Sequence, residues 1–155
     1  MKNRNPANTL IVFGLLILTG IALLLFRPMG FESAMGDGFN PDRMETVQAL
    51  LVPADGGETL EADFLSGTVE YVELVRLLAE PDYSRTHGSP DSIEERSDYE
   101  LTLTFTDRGE HSWTYQYLGE NKVFLGRDGG ETIYQLSGGA ESPEAVLDYL
   151  LQAAN

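Results

Sequence analysis

The stretch YELTLTFTDRGEHSWTYQYLG, residues 99–119, carries two runs of alternation around a short polar break. In the first run Tyr99, Leu101, Leu103 and Phe105 alternate with Glu100, Thr102, Thr104 and Thr106; in the second Trp113, Tyr115 and Tyr117 alternate with Ser112, Thr114 and Gln116. A period of two puts each set on its own side of a pleated backbone, so the pattern predicts two strands with one buried and one wet face. Asp107-Arg-Gly-Glu110 supplies the turn between them.

The pattern extends in both directions. Gly119-Glu-Asn-Lys122 turns the chain back into KVFLGR (122–127), and Asp128-Gly129-Gly130 leads to TIYQLSG (132–138), giving an antiparallel meander. Upstream, TVQALLVP (46–53) and ETLEADFL (58–65) flank Asp55-Gly56-Gly57 and predict a hairpin. Between the two sheet segments, TVEYVELVRLLAE (68–80) spaces Val69, Val72, Val75 and Leu78 as an apolar helical stripe, with Ser66 or Thr68 as cap and Pro81 as stop. The carboxyl-terminal SPEAVLDYLLQAA begins with Ser142 as cap and Pro143 at the first helical position, and buries Val146, Leu147, Leu150 and Leu151. The Ser-, Asp- and Gly-rich DYSRTHGSPDSIEERSD (82–98) reads as a long loop. The fold class is α+β, in the order ββαββββα, with both helices packed on one face of an antiparallel sheet.

At the amino terminus, TLIVFGLLILTGIALLLF (9–26) has no charged side chain. A helix of this length rises about 27 Å, close to the roughly 30 Å of a bilayer core. Leu10, Ile11, Leu15, Leu16, Ile17, Leu23, Leu24 and Phe26 supply its apolar surface, while Gly14 and Gly20 lack the spacing of a helix-pairing motif. The segment exceeds a secretory h-region, and the first small-x-small triplet, Ala34-Met35-Gly36, lies far beyond its end. It is therefore expected to be an uncleaved signal anchor. Lys2 and Arg4 before it, against Arg27 after it, place the amino terminus inside. The expected organisation is a cytoplasmic tail (1–8), a transmembrane anchor (9–26), a juxtamembrane linker (27–44) and an extracytoplasmic acidic domain (45–155).

From residue 28 onward seven basic residues face 25 acidic ones, a formal charge of −18. Such a domain is a poor partner for nucleic acid and is repelled by anionic lipid. With no cysteine there is no disulfide, thiolate metal site, cysteine nucleophile or lipobox. No P-loop, dinucleotide fingerprint, GxSxG or HExxH motif occurs, and Asp37-Gly-Phe-Asn40-Pro-Asp42 lacks the spacing of a calcium loop. Ser, His and Asp adjoin in the loop around His87, but one segment cannot hold a nucleophile and orient its base independently. No catalytic residue, metal or cofactor is expected.

Trp113, Tyr115 and Tyr117 admit two readings: they form a ligand- or partner-facing aromatic platform, or they fill the core beneath the helices, in which case Thr102, Thr104 and Thr106, with Thr114 and Gln116, form the exposed face, a polar surface suited to a partner. The function expected is a membrane-anchored accessory, sensing or interaction module, held by lipid through residues 9–26 and bound to a protein partner. The alternatives are a small hydrolase or carbohydrate-active enzyme using His87 or His111 with nearby carboxylates, and a secreted binding or inhibitor protein released near Gly36.

Overall fold

The computed structural model describes residues 6–127, 130–138 and 142–153. Its strands are β1 (Met44–Pro53), β2 (Leu60–Leu65), β3 (Asp82–Arg85), β4 (Arg96–Asp107), β5 (Ser112–Gly119), β6 (Lys122–Arg127) and β7 (Gly130–Ser137). They form one antiparallel sheet in the spatial order β2-β1-β4-β5-β6-β7-β3. The helices are α1 (Pro6–Leu25), α2 (Phe31–Met35), α3 (Val69–Ala79) and α4 (Ser142–Ala153). The fold is thus α+β, as expected.

The alternation in the opening stretch sets the two faces. Leu101↔Tyr117, Leu103↔Tyr115 and Phe105↔Trp113 pair on the inner face, and Thr102↔Gln116, Thr104↔Thr114 and Thr106↔Ser112 pair on the outer one. The inner face carries the core, which α2, α3 and α4 cover; Val47, Leu51, Leu74, Leu78, Leu103, Val146 and Leu150 are all buried there. Val146, Leu147 and Leu150 are buried and Leu151 partly so, which matches the stripe read for α4. The turn expected at Asp128-Gly129 and the side chain of the cap Ser142 lie outside the described residues.

Three expectations need correction, and a fourth lacks support among the described residues. The first concerns strand count: the loop expected over 82–98 contains β3, which pairs with β7 from Asp82↔Ser137 to Arg85↔Tyr134. Only Tyr83 of its four residues is buried, too short a pattern to read as alternation, and its partner lies far downstream. The order is therefore ββαβββββα after α2.

The second concerns α3. Its buried residues are Tyr71, Leu74, Leu77 and Leu78; of the expected stripe Leu78 is buried and Val75 partly buried against the core, whereas Val69 is 81% and Val72 60% exposed. Two stripes compete on this helix, and the one with the larger side chains buries more apolar area. The Tyr71 hydroxyl fixes the choice by donating a buried 2.6 Å hydrogen bond to the Pro41 carbonyl. Thr68 is the cap, accepting from the Tyr71 amide at 3.2 Å.

The third concerns residues 27–44, expected as a linker. From Met29 on they belong to the folded unit. Met29 and Tyr83 exchange backbone hydrogen bonds of 2.9 and 2.8 Å, which adds a one-residue bridge to the outer side of β3. Phe31, Ala34, Met35, Phe39 and Met44 are all buried. Phe31 meets the rings of Phe39, Tyr83, Phe105 and Tyr115 at centroid distances of 5.3, 5.8, 5.9 and 6.4 Å. Gly, Pro and acidic residues dominate the composition of the segment, and its five buried apolar side chains have no period to reveal them.

The fourth concerns the membrane. Among the described residues no helix is long and apolar enough to cross a bilayer. The side chains of Leu10 and Leu24, both assigned to the anchor, lie outside the described set, and the span over 9–26 is not supported by what remains.

Candidate functional site

The aromatic side chains singled out from the sequence lie inside the protein. Trp113 and Tyr115 are 1% exposed and Tyr117 6%, so they form no surface platform. Trp113 is wedged between Phe39, at 5.8 Å, and the Arg127 guanidinium, 5.1 Å from the ring centroid. Burial pushes the Tyr115 and Tyr83 phenols well above their ordinary range, and Tyr83 donates to the Leu78 carbonyl at 2.6 Å. These rings join α2, α3 and the sheet.

Thr102, Thr104 and Thr106 sit on the other face, half-buried among their strand neighbours. The rows there run Leu50–Thr102–Gln116–Phe124 and Gln48–Thr104–Thr114–Gly126. Part of the face is covered: Ile93, carried over from β3 by a Pro90–Ser92 turn, packs with Leu118, Phe124 and Ile133. The threonines thus lie on the face opposite the aromatic set, the arrangement that goes with the core reading of Trp113, Tyr115 and Tyr117.

A cleft of about 490 Å³ lies at the opposite end of β4 and β5 from their turn. Asp98, Glu144 and Asp148 line it beside Tyr99 and Tyr117, with Arg96 as its cation. Burial and the nearby Glu144 charge raise the Tyr117 phenol above its ordinary range, against the pull of a hydrogen bond from the Asn121 amide. Glu120 closes the cleft floor from the β5–β6 turn. Its carboxylate accepts from the Glu94 amide at 2.6 Å and the Glu95 amide at 3.1 Å and pairs with Lys122. These donors, led by Lys122, hold it down to about 2. Glu120 thus pins the chain entering β4 onto the turn, at a place where Gly119 has a φ of +142° and its ideal Cβ would lie 2.2 Å from the Glu95 carbonyl. Within GENK only the Glu120–Lys122 pair is local; the clamp itself is not announced there, because the amides it holds lie some 25 residues away.

A second cleft, about 520 Å³, opens between the start of β1 and the β4–β5 turn, with Asp42, Glu45 and Asp107 against Arg43 and Arg108. The Asp42 charge also acts on Tyr71, whose phenol is pushed up to about 12 by burial first and then by that charge. Neither histidine lines either cleft. His87 is exposed and meets the Phe26 ring edge-on at 5.6 Å. His111 is exposed beside Asp107, with Nδ1 3.2 Å from the carboxylate. That carboxylate also accepts from the Gly109 and His111 amides at 2.8 and 2.9 Å, which makes the pair part of a turn. No group of three or more metal-ligating side chains converges among the described residues.

No family model, curated protein or solved structure matches the chain.

Proposed function

We propose that the chain is a single-pass, membrane-tethered binding module that displays its acidic α+β domain outside the cytoplasmic membrane, with the amino terminus inside. The observation that carries this is the uncovered surface of α1. Nine of its large apolar side chains stand in the open, among them Ile11 at 61%, Phe13 at 66%, Leu18 at 67% and Leu23 at 70% exposed. Burying nine such side chains is worth on the order of 15–25 kcal/mol, more than the whole stability of a typical domain. Lipid supplies that cover, and the apolar sequence continues on both sides of the exposed stretch.

The position of Ala34-Met35-Gly36 supports a retained anchor over a released form. Ala34 and Met35 are buried at 5% and 3% exposure in α2, so cleavage there would strip Phe31 and both neighbours from the core. The acidic surface supports recognition of a positively charged partner, since charge complementarity steers encounter and suppresses wrong pairings. A carboxyl-terminal fusion tests the topology: alkaline phosphatase is active and a green fluorescent reporter dark. A fluorescent, phosphatase-inactive pair overturns the proposal, as does full release of the chain into the soluble fraction on alkaline extraction.

A further inference from the structure

Of the two edges of the sheet, one carries an added bridge and the other carries none among the described residues. At β3 the outer side carries the Met29 bridge. At the far edge, β2 is the last strand of the sheet. Ser66 donates to the Glu45 carbonyl at 3.0 Å, one step beyond the Thr46↔Leu65 pair, which fixes the parity of the ladder. Phe64, Ala62 and Leu60 therefore turn their backbone groups toward β1, while those of Glu61, Asp63 and Leu65 point off the sheet. Of these outward groups the Leu65 carbonyl is taken by Thr68, whose amide and hydroxyl donate to it at 3.2 and 2.9 Å. A groove of about 360 Å³ runs along this edge, walled by Thr68, Glu70 and Ala153. Leu65, at its end, is 58% exposed.

We propose that the open edge of β2 is a strand-addition site for a partner protein's extended segment with lysine or arginine at alternate positions. Such a segment completes the ladder through the free groups of Glu61 and Asp63 and the Leu65 amide. On the outer face its side chains fall opposite the Glu61 and Asp63 carboxylates, at the distance where opposite charges stabilise a cross-strand pair. On the inner face they enter the groove beside Ala62 and Ala153, where small or β-branched apolar residues fit. Charge rules out a second copy of this chain. Antiparallel self-pairing about Ala62 would set Glu61 against Asp63 twice, on domains that each carry −18.

The inference rests on the reading of the domain as a binding module, but its test is independent of the side of the membrane. The full chain is held in a zwitterionic detergent and titrated at low salt with a synthetic peptide alternating lysine and valine. Amide hydrogen exchange is followed residue by residue. The expected result is saturable protection of the Glu61, Asp63 and Leu65 amides. N-methylation of the peptide's alternate amides, which keeps every charge but removes the ladder donors, abolishes that protection. The double variant Glu61→Lys, Asp63→Lys weakens binding about tenfold, the product of two reversed cross-strand pairs. Asp63→Pro removes an edge-facing donor while leaving the β1 ladder intact, and weakens binding with no change in net protection of β1. The proposal is overturned by absence of binding at about 1 mM peptide, by equal binding of the N-methylated peptide, or by protection mapping to the Asp98–Tyr99 cleft. It is overturned equally by protection of the same amides that grows with protein concentration in the absence of peptide. The fusion experiment above reports separately on the tether.

Discussion

Phe31→Ala separates a folded α2 from a juxtamembrane linker by a wide margin. Phe31 is 2% exposed and touches four aromatic rings from Phe39, β3, β4 and β5. Transfer of its side chain out of water accounts for about 1.5–3 kcal/mol. The lost edge-to-face contacts and the cavity left among rigid rings raise the expected loss to about 3–5 kcal/mol. The same substitution in a solvated linker costs under about 0.5 kcal/mol. Urea unfolding of the full chain in mild detergent measures it, with fluorescence from Trp113, the sole tryptophan, which lies next to Phe39 in the same cluster. The midpoint should fall with little change in slope. A loss below about 1 kcal/mol refutes the assignment of residues 29–44 to the core.

Three other outcomes follow from the same packing. Val72→Glu is expected to shift stability by less than about 0.5 kcal/mol, while Leu74→Ala costs about 2–5 kcal/mol; comparable losses in a thermal melt would restore the valine stripe as the buried face of α3. Because Glu120 is held at about 2, below its ordinary 4.5, its stabilising contribution is complete above the ordinary value and is lost as pH falls toward 2. Glu120→Gln should flatten that part of an acid-unfolding curve and leave the slope from Asp107, which is also lowered; an unchanged curve would remove the clamp. Gly119→Ala forces a side chain against the Glu95 carbonyl in a conformation that L residues rarely adopt, and is expected to cost upward of about 2 kcal/mol by denaturant titration.

Legibility in this sequence tracked the length of the pattern and the distance to the partner. β4 and β5 were readable because each repeats its alternation over several residues and finds its partner across a tight turn. β3 was not, since four residues with one buried side chain carry no period and pair with the last strand of the meander, some 50 residues downstream. In α3 the period was visible but ambiguous. The valine stripe and the Tyr71–Leu74–Leu78 stripe have the same helical spacing, and tertiary contacts, including the Tyr71 hydroxyl on Pro41, decide between them. The aromatic row was found and its inward side left open, because alternation separates two faces without saying which one the helices cover. The β2 edge was legible only as a strand; that it ends the sheet is a property of topology, and the alternation of Glu61 and Asp63 gains meaning only then.

Docking residues 29–44 onto the domain alters what a tether does. A flexible linker of that length has a root-mean-square reach of roughly 20–25 Å, and a domain on it samples every orientation. Here the ordered chain runs from α1 into Met29 on β3, with Phe26 against His87, so only the residues between Leu25 and Met29 remain to bend. In the tethered state proposed above, the β3 edge is then the one next to the lipid. Six strand spacings of about 4.8 Å separate it from β2, so the open edge stands roughly 29 Å away across the sheet. That distance is several Debye lengths at physiological salt, far enough that an anionic leaflet does not compete for the basic segment that Glu61 and Asp63 would recruit. Inserting a flexible Gly-Ser stretch after Arg27 should leave peptide binding in detergent unchanged. It should weaken binding on vesicles rich in anionic lipid, where a domain free to rotate brings its β2 edge to the surface. Equal binding on neutral and anionic vesicles with the insertion present would show that the orientation carries no such benefit.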